Sequence, residues 1–272
     1  MNFLNLKGKM KDRGPFGKKE NKSIIFSVGN SNEAHGYALP RDIDGRQARW
    51  VAINAANEAG ARYVAHIPYS TDRVGDIAIN WSPNYIPIDE FFDKITEFMK
   101  FHIQLLNKYN LEFEKIIIVN FHGGNIFPHK KIKKMREMLG SYKIKTSGPF
   151  DFQNIDEEKL RYWLKRVSPG HADTTEHSIA AVLGLVDYKK LEEMNNLISK
   201  DMNKALKRWP AIGGLGGYLE FGGEEFDPLR VPKIGLVACY EKFKEEKKIH
   251  IYNDLGLLIL DGLIANISKI CK

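Results

Sequence analysis

Two short runs of the chain are apolar at consecutive positions rather than alternate ones: Ile24-Ile25-Phe26-Ser27-Val28 and Ile116-Ile117-Ile118-Val119. A strand with one face in water alternates polar and apolar residues, so these runs need cover on both faces, as in a parallel sheet between helical layers. The surrounding pattern agrees. Helical periodicity over about 45–60 (Trp50, Val51, Ile53, Ala56) precedes a strand expected at 61–69, and a strongly amphipathic helix is expected over 88–110. Further helices are expected over 128–139, 155–167, 174–186, 191–209 and 254–267, with strands over 144–150 and 234–240. Gly213-Gly214-Leu215-Gly216-Gly217 reads as a flexible loop without the Lys-Ser/Thr of a phosphate-binding loop. The fold class is α/β, a single domain over 23–272 with a mostly parallel central sheet.

Each of the two apolar runs stops at residues that carry chemistry. The first leads into Glu33-Ala34-His35-Gly36 and on to Asp44, the second into Asn120-Phe121-His122-Gly123-Gly124-Asn125. In open α/β sheets ligands sit beyond the carboxyl ends of the strands, so carboxylates and imidazoles arrive at one edge. In an extended segment alternate side chains share a face, which lets Glu33 and His35 aim at one point. A third segment, His171-Ala172-Asp173-Thr174-Thr175-Glu176-His177-Ser178, places a histidine in a loop and a carboxylate at a helix start. Oxygen and imidazole donors suit Zn²⁺, Mn²⁺ or Fe²⁺. Purely structural roles compete at each position: Asp44 with Gln47 and Asp173 with Glu176 have capping spacing, and His66, His102, His129 and His250 read as hydrogen-bonded core residues.

Bulk properties narrow the classes. No apolar stretch among the 272 residues approaches the ~20 needed to span a bilayer. Only Cys239 and Cys271 are present, too few for a disulfide framework, so the expected compartment is the cytoplasm. The net charge of +7 is concentrated in residues 1–22 (Lys7, Lys9, Lys11, Arg13, Lys18, Lys19, Lys22), where no aromatics interleave as a stacking surface requires. A solvated, partly mobile leader is therefore expected, with neither nucleic acid nor membrane as partner, while the positive balance suits an anionic small-molecule substrate. The long segment 70–87 holds Trp81, Pro83 and Tyr85 and is expected to line the pocket. Trp81, Tyr85 and Trp163 are the candidate substrate-covering aromatics.

These motifs resemble the creatininase (creatinine amidohydrolase) family. The resemblance rests on Glu33-Ala34-His35-Gly36 with Leu39-Pro40 and Asp44, on Asn120 to Asn125, and on His171-Ala172 with Glu176 and Ser178, and it spans about 24–186. It implies a three-layer α/β/α fold, two divalent ions per chain, and a homo-oligomer, often a hexamer. By the same likeness Asp44 bridges the ions, Glu33 and His122 serve one, His35 the other, and His171 transfers protons. Creatininase carries a carboxylate two residues after the motif histidine, where this chain has Gly124, so Glu176 is the candidate to complete the second ion's set. The expected activity is hydrolysis of a small cyclic amide or formamide by a metal-bound hydroxide, as in creatinine amidohydrolase or formylaminopyrimidine nucleotide deformylase. The Phe-Pro-Gly-Thr phrase common in the family is absent after the second strand, which argues against creatinine. Two other readings stand: hydrolytic carbon–carbon ring opening of a cyclic ketone such as 3-dehydro-scyllo-inosose, and a non-catalytic metal- or sugar-binding module.

Overall fold

The computed structural model describes residues 21–140, 142–148, 151, 155–226 and 235–272. The leader expected over 1–22 lies, up to residue 20, outside the described residues, as do the last two positions of the strand expected to reach 150. Four parallel strands form the sheet: β1 (Ser23–Val28), β2 (Arg62–Ile67), β3 (Lys115–Asn120) and β4 (Lys143–Ser147), in the order β2-β1-β3-β4. The chain steps from β1 to β2 on one side and then crosses to β3 on the other. The crevice between the carboxyl ends of β1 and β3 is therefore the point where strand order reverses, the ligand position of open α/β sheets.

Consecutive apolar residues in β1 and β3 serve opposite faces, as the pleat requires. Ile25, Ile117 and Val119 pack with α1 (Ile43–Ala59) and α10 (Asn253–Cys271), and Ile24, Phe26, Val28, Ile116 and Ile118 with α2 (Ile88–Lys108) and α3 (His129–Leu139). Ala48, Ala52, Ala55 and Ala56 turn toward the sheet, so α1 lies close to it. Each isoleucine or phenylalanine taken out of water contributes roughly 1.5–3 kcal/mol. This is the three-layer α/β/α arrangement.

The remaining helices pack beyond this sandwich: α4 (Glu157–Leu164), α5 (Thr174–Val182), α6 (Tyr188–Lys200), α7 (Met202–Arg208), α8 (Ile212–Phe221) and α9 (Leu236–Glu246). Three expectations are corrected here. The strand expected over 234–240 is helix from Leu236 onward, because Leu236, Cys239, Tyr240 and Phe243 recur at helical spacing on one buried face. The helix expected over 191–209 is two, broken at Asp201, whose side chain accepts from the Lys204 N–H and caps the second. The glycine run 213–217 is buried rather than a flexible loop. Gly213, Gly214 and Leu215 have positive φ inside α8, and a Cβ on Gly216 would meet the Tyr240 ring at 2.5 Å. Among the described residues no helix is long and apolar enough to cross a membrane.

Candidate metal centre

Glu33 and His35 follow β1 in an irregular segment held by two backbone bonds, Glu33 N–H to the Arg41 carbonyl (2.9 Å) and Ala34 N–H to the Trp81 carbonyl (2.8 Å). Asp44 lies in the first turn of α1. That turn presses on the end of β1 so closely that a Cβ on Gly29 would meet the Asp44 carbonyl at 2.6 Å. The competing capping role for Asp44 does not hold: Asp42 has the N-cap position, and the buried Asp44 carboxylate faces the histidines. The capping role of Asp173 holds, since its Oδ1 accepts from Glu176 N–H at 2.9 Å. Glu176 in turn accepts from Ala172 N–H through Oε2 (2.6 Å), which leaves Oε1 directed at His35.

The sequence-expected ligands converge. His122 Nδ1 lies 2.9 Å from Glu33 Oε2 and 3.0 Å from Asp44 Oδ2. His35 Nε2 lies 3.3 Å from Asp44 Oδ1, 3.5 Å from Glu176 Oε1 and 3.9 Å from Glu33 Oε2. Two groups of potential ligand atoms result, Glu33–Asp44–His122 and His35–Asp44–Glu176, and Asp44 belongs to both; Glu33, His35 and His171 form a third. His171 lies 3.5 Å from Glu33 Oε1 through Nδ1, and its ring centroid is 4.4 Å from that of His35.

Hydrogen-bond partners fix the tautomers. A carbonyl oxygen only accepts, so His35 Nδ1 donates to the Glu33 carbonyl (3.2 Å), His122 Nε2 to the Thr71 carbonyl (3.1 Å), and His171 Nε2 to the Ala34 carbonyl (2.7 Å). In the neutral rings, His35 Nε2 and His122 Nδ1 then present lone pairs to carboxylate oxygens. Acceptors facing acceptors in a buried site are unstable without positive charge between them. Glu33 Oε2, His35 Nε2 and Asp44 Oδ1 are indeed buried without a properly aligned hydrogen bond. Among the described residues no lysine or arginine pairs with these carboxylates.

The same frustration governs proton affinity. Burial disfavours a proton on His35, but Glu176 and Asp44 outweigh burial and hold it well above the ordinary imidazole range. His122 is raised in the same way, against burial, by Glu33 and Asp44. Burial likewise works against the charge of Asp44, yet the two imidazoles beside it keep its carboxyl far below the usual range. The site demands cations, and two protons or metal ions meet the demand alike.

A cavity of about 350 Å³ opens on the cluster. Trp81, Leu215 and Leu236 give it an apolar wall, and Arg73 joins the polar lining. Of the other expected aromatics, Tyr85 packs beside Trp81's cluster, and Trp163 packs against Tyr252 on the side of α10. Asp72 escaped the sequence reading. It is 8% exposed, lines the cavity, and sits 3.7 Å from His122 Nε2 through Oδ2. The one signal in the sequence was its place after β2, whose carboxyl end faces the same edge. Of the histidines expected to be hydrogen-bonded core residues, His66 pairs with Ser27 Oγ at 3.0 Å, whereas His102 is half-buried against the Phe26 and Phe98 rings and His129 is exposed at the start of α3.

No family model matches the chain. Among curated proteins the sequence is similar to the 2-amino-5-formylamino-6-ribosylaminopyrimidin-4(3H)-one 5'-monophosphate deformylase of Methanosphaera stadtmanae, 33% identical over 189 residues that make up 69% of this chain and 71% of the relative. The enzymes of the same name from Methanocaldococcus infernus (28% over 171 residues, 62% of this chain) and Methanothermus fervidus (25% over 198 residues, 71% of this chain) also match. The matched stretches cover 63% and 64% of those two relatives, just under two thirds of their length. The fold is that of a solved creatinine amidohydrolase, with a TM-score of 0.57 at 13% identity over 99% of this chain and 94% of the other. A manganese form of creatininase gives 0.55 at 14% identity, over 99% of this chain and 95% of the other.

Proposed function

We propose, from the premise that the chain belongs to the creatininase (creatinine amidohydrolase) family, that it is a metal-dependent hydrolase of non-peptide C–N bonds. Glu33, Asp44 and His122 would hold one divalent ion, and His35, Asp44 and Glu176 a second. The observation that carries the reading is the pair of ligand groups sharing Asp44, with imidazole lone pairs aimed at carboxylates that lack other cations. Three ionised carboxylates against two divalent ions leave a net positive site. Ions bound there would acidify a water and polarise the scissile carbonyl.

The chain's own groups supply the rest. His171 keeps its Nε2 proton on the Ala34 carbonyl, so Nδ1 is the nitrogen that takes up and returns a proton, and it is within 3.5 Å of Glu33. Ala172, with φ of 48°, turns the backbone between His171 and α5 and so lets the imidazole and Glu176 approach the site together. The wall of Trp81, Leu215 and Leu236 excludes water from one side of the bound amide.

The substrate we favour is a formylaminopyrimidine nucleotide, from which hydrolysis releases formate and leaves a free amine. The curated relatives are named for that reaction, and Arg73 at the cavity supplies a guanidinium suited to a phosphate. The experiment is to load the protein with Mn²⁺, Zn²⁺ or Fe²⁺, count bound ions, and measure formate released from the nucleotide beside turnover of creatinine and keto-inositols. Two ions per chain with formate release is the expected result. Activity on keto-inositols alone would overturn the amide reading, and fewer than one ion per chain would return the protein to the binding-module class.

A further inference from the structure

We infer that Asp72 is a positioning residue of the metal centre, acting through His122, and that Gly124 is glycine in order to admit it. The inference rests on the reading of His122 as a metal ligand. The segment 70–72 and the turn after β3 form one hydrogen-bonded unit. Thr71 N–H donates to Asn125 Oδ1 (2.9 Å), and Ser70 Oγ donates to the same oxygen (3.4 Å). His122 Nε2 donates back to the Thr71 carbonyl. Asn120 closes the turn from beneath, donating through Nδ2 to the His122 and Asn125 carbonyls and accepting from His122 N–H.

This unit delivers the Asp72 carboxylate to the ring edge opposite the cluster. Oδ1 accepts from Val74 N–H at 3.1 Å, which fixes the side chain, and Oδ2 stands 3.7 Å from His122 Nε2. Gly124 has no left-handed backbone that would call for glycine. What it lacks is a side chain where none fits: a Cβ there would meet His122 Nε2 at 2.5 Å and Asp72 Oδ2 at 2.7 Å. The Nε2 proton is already donated to the Thr71 carbonyl, which orients the ring, and the Asp72 charge beside that N–H makes the imidazole a stronger ligand at its other nitrogen. That other nitrogen, Nδ1, is the one facing Glu33 and Asp44.

The test is Mn²⁺ affinity, measured by chelator competition, in the parent chain and in Asp72→Asn and Asp72→Glu. Loss of the carboxylate should weaken binding about 10–100-fold. Restoring it on the same residue (D72E) should recover at least half of that loss on a logarithmic scale. A D72N affinity within twofold of the parent overturns the inference, as does a loss that Asp72→Glu does not restore. A parent chain that binds no Mn²⁺ overturns instead the metal reading beneath it.

Discussion

Asp44 is the residue on which both ligand groups depend, with Oδ2 toward His122 and Oδ1 toward His35. On the proposed two-ion reading, Asp44→Ala should therefore release both ions together, seen as ion content and turnover falling in parallel; retention of one ion would confine Asp44 to a single site. His171 belongs to neither of the two groups that share Asp44. His171→Ala should keep its metal and lose roughly 10²–10⁴-fold in rate as a missing general acid or base; full turnover would remove it from the mechanism. Arg73→Ala should raise KM for the phosphorylated substrate and leave KM for its dephosphorylated form unchanged, a split that a general loss of fold would not give. The candidate ligands were legible because each lies in a short motif at a strand end or helix start, where chain direction decides where a side chain goes. Asp72 was not, because its position depends on Asn125 and Gly124, residues more than fifty positions away that only the folded sheet brings beside it.

At the scale of elements, α5 carries Glu176 on its first turn and is capped by Asp173. Burial pushes the Asp173 carboxyl up to about 7, against the N–H groups of Glu176 and Gly170 that favour its charge. Its ordinary value is 3.8, so between about pH 4 and 7 the folded chain holds a proton that the unfolded chain has released. Stability must then fall as pH rises through that window. The metal-depleted protein should melt at a lower temperature at pH 8 than at pH 5, and Asp173→Asn, which keeps an acceptor for the Glu176 N–H, should flatten the slope. An unchanged slope in the variant would assign the dependence elsewhere. Elements that follow a clean period were legible, β1 and β3 by their doubly buried runs and α2 by its stripe of Phe91, Ile95 and Ile103. The segment 236–240 was misread because Leu-Val-Ala-Cys-Tyr is apolar throughout, and five such residues fit a strand as well as a helix. Only Phe243, one turn further, completes the helical face.

The whole molecule gathers its site from four places in the chain, so ions bound there would stabilise the folded state alone. At a hundredfold excess over the dissociation constant that contributes about 2.7 kcal/mol. Chelation should lower the melting temperature of the parent protein and have no effect on Asp44→Ala; equal sensitivity of both would place the stabilising ion elsewhere. The helix that bears Glu176 is itself buttressed from the far end of the sequence. The Tyr252 N–H donates to Ser178 Oγ, the His250 N–H to Thr174 Oγ1, and α10 lies so close to α5 that a Cβ on Gly256 would press into the Ser178 carbonyl. During synthesis, then, Glu33, His35 and Asp44 leave the ribosome long before their last companion is braced. A nascent chain without residues 250–256 offers only an open, underdetermined set of donors, and selective metal uptake would wait until that segment has emerged.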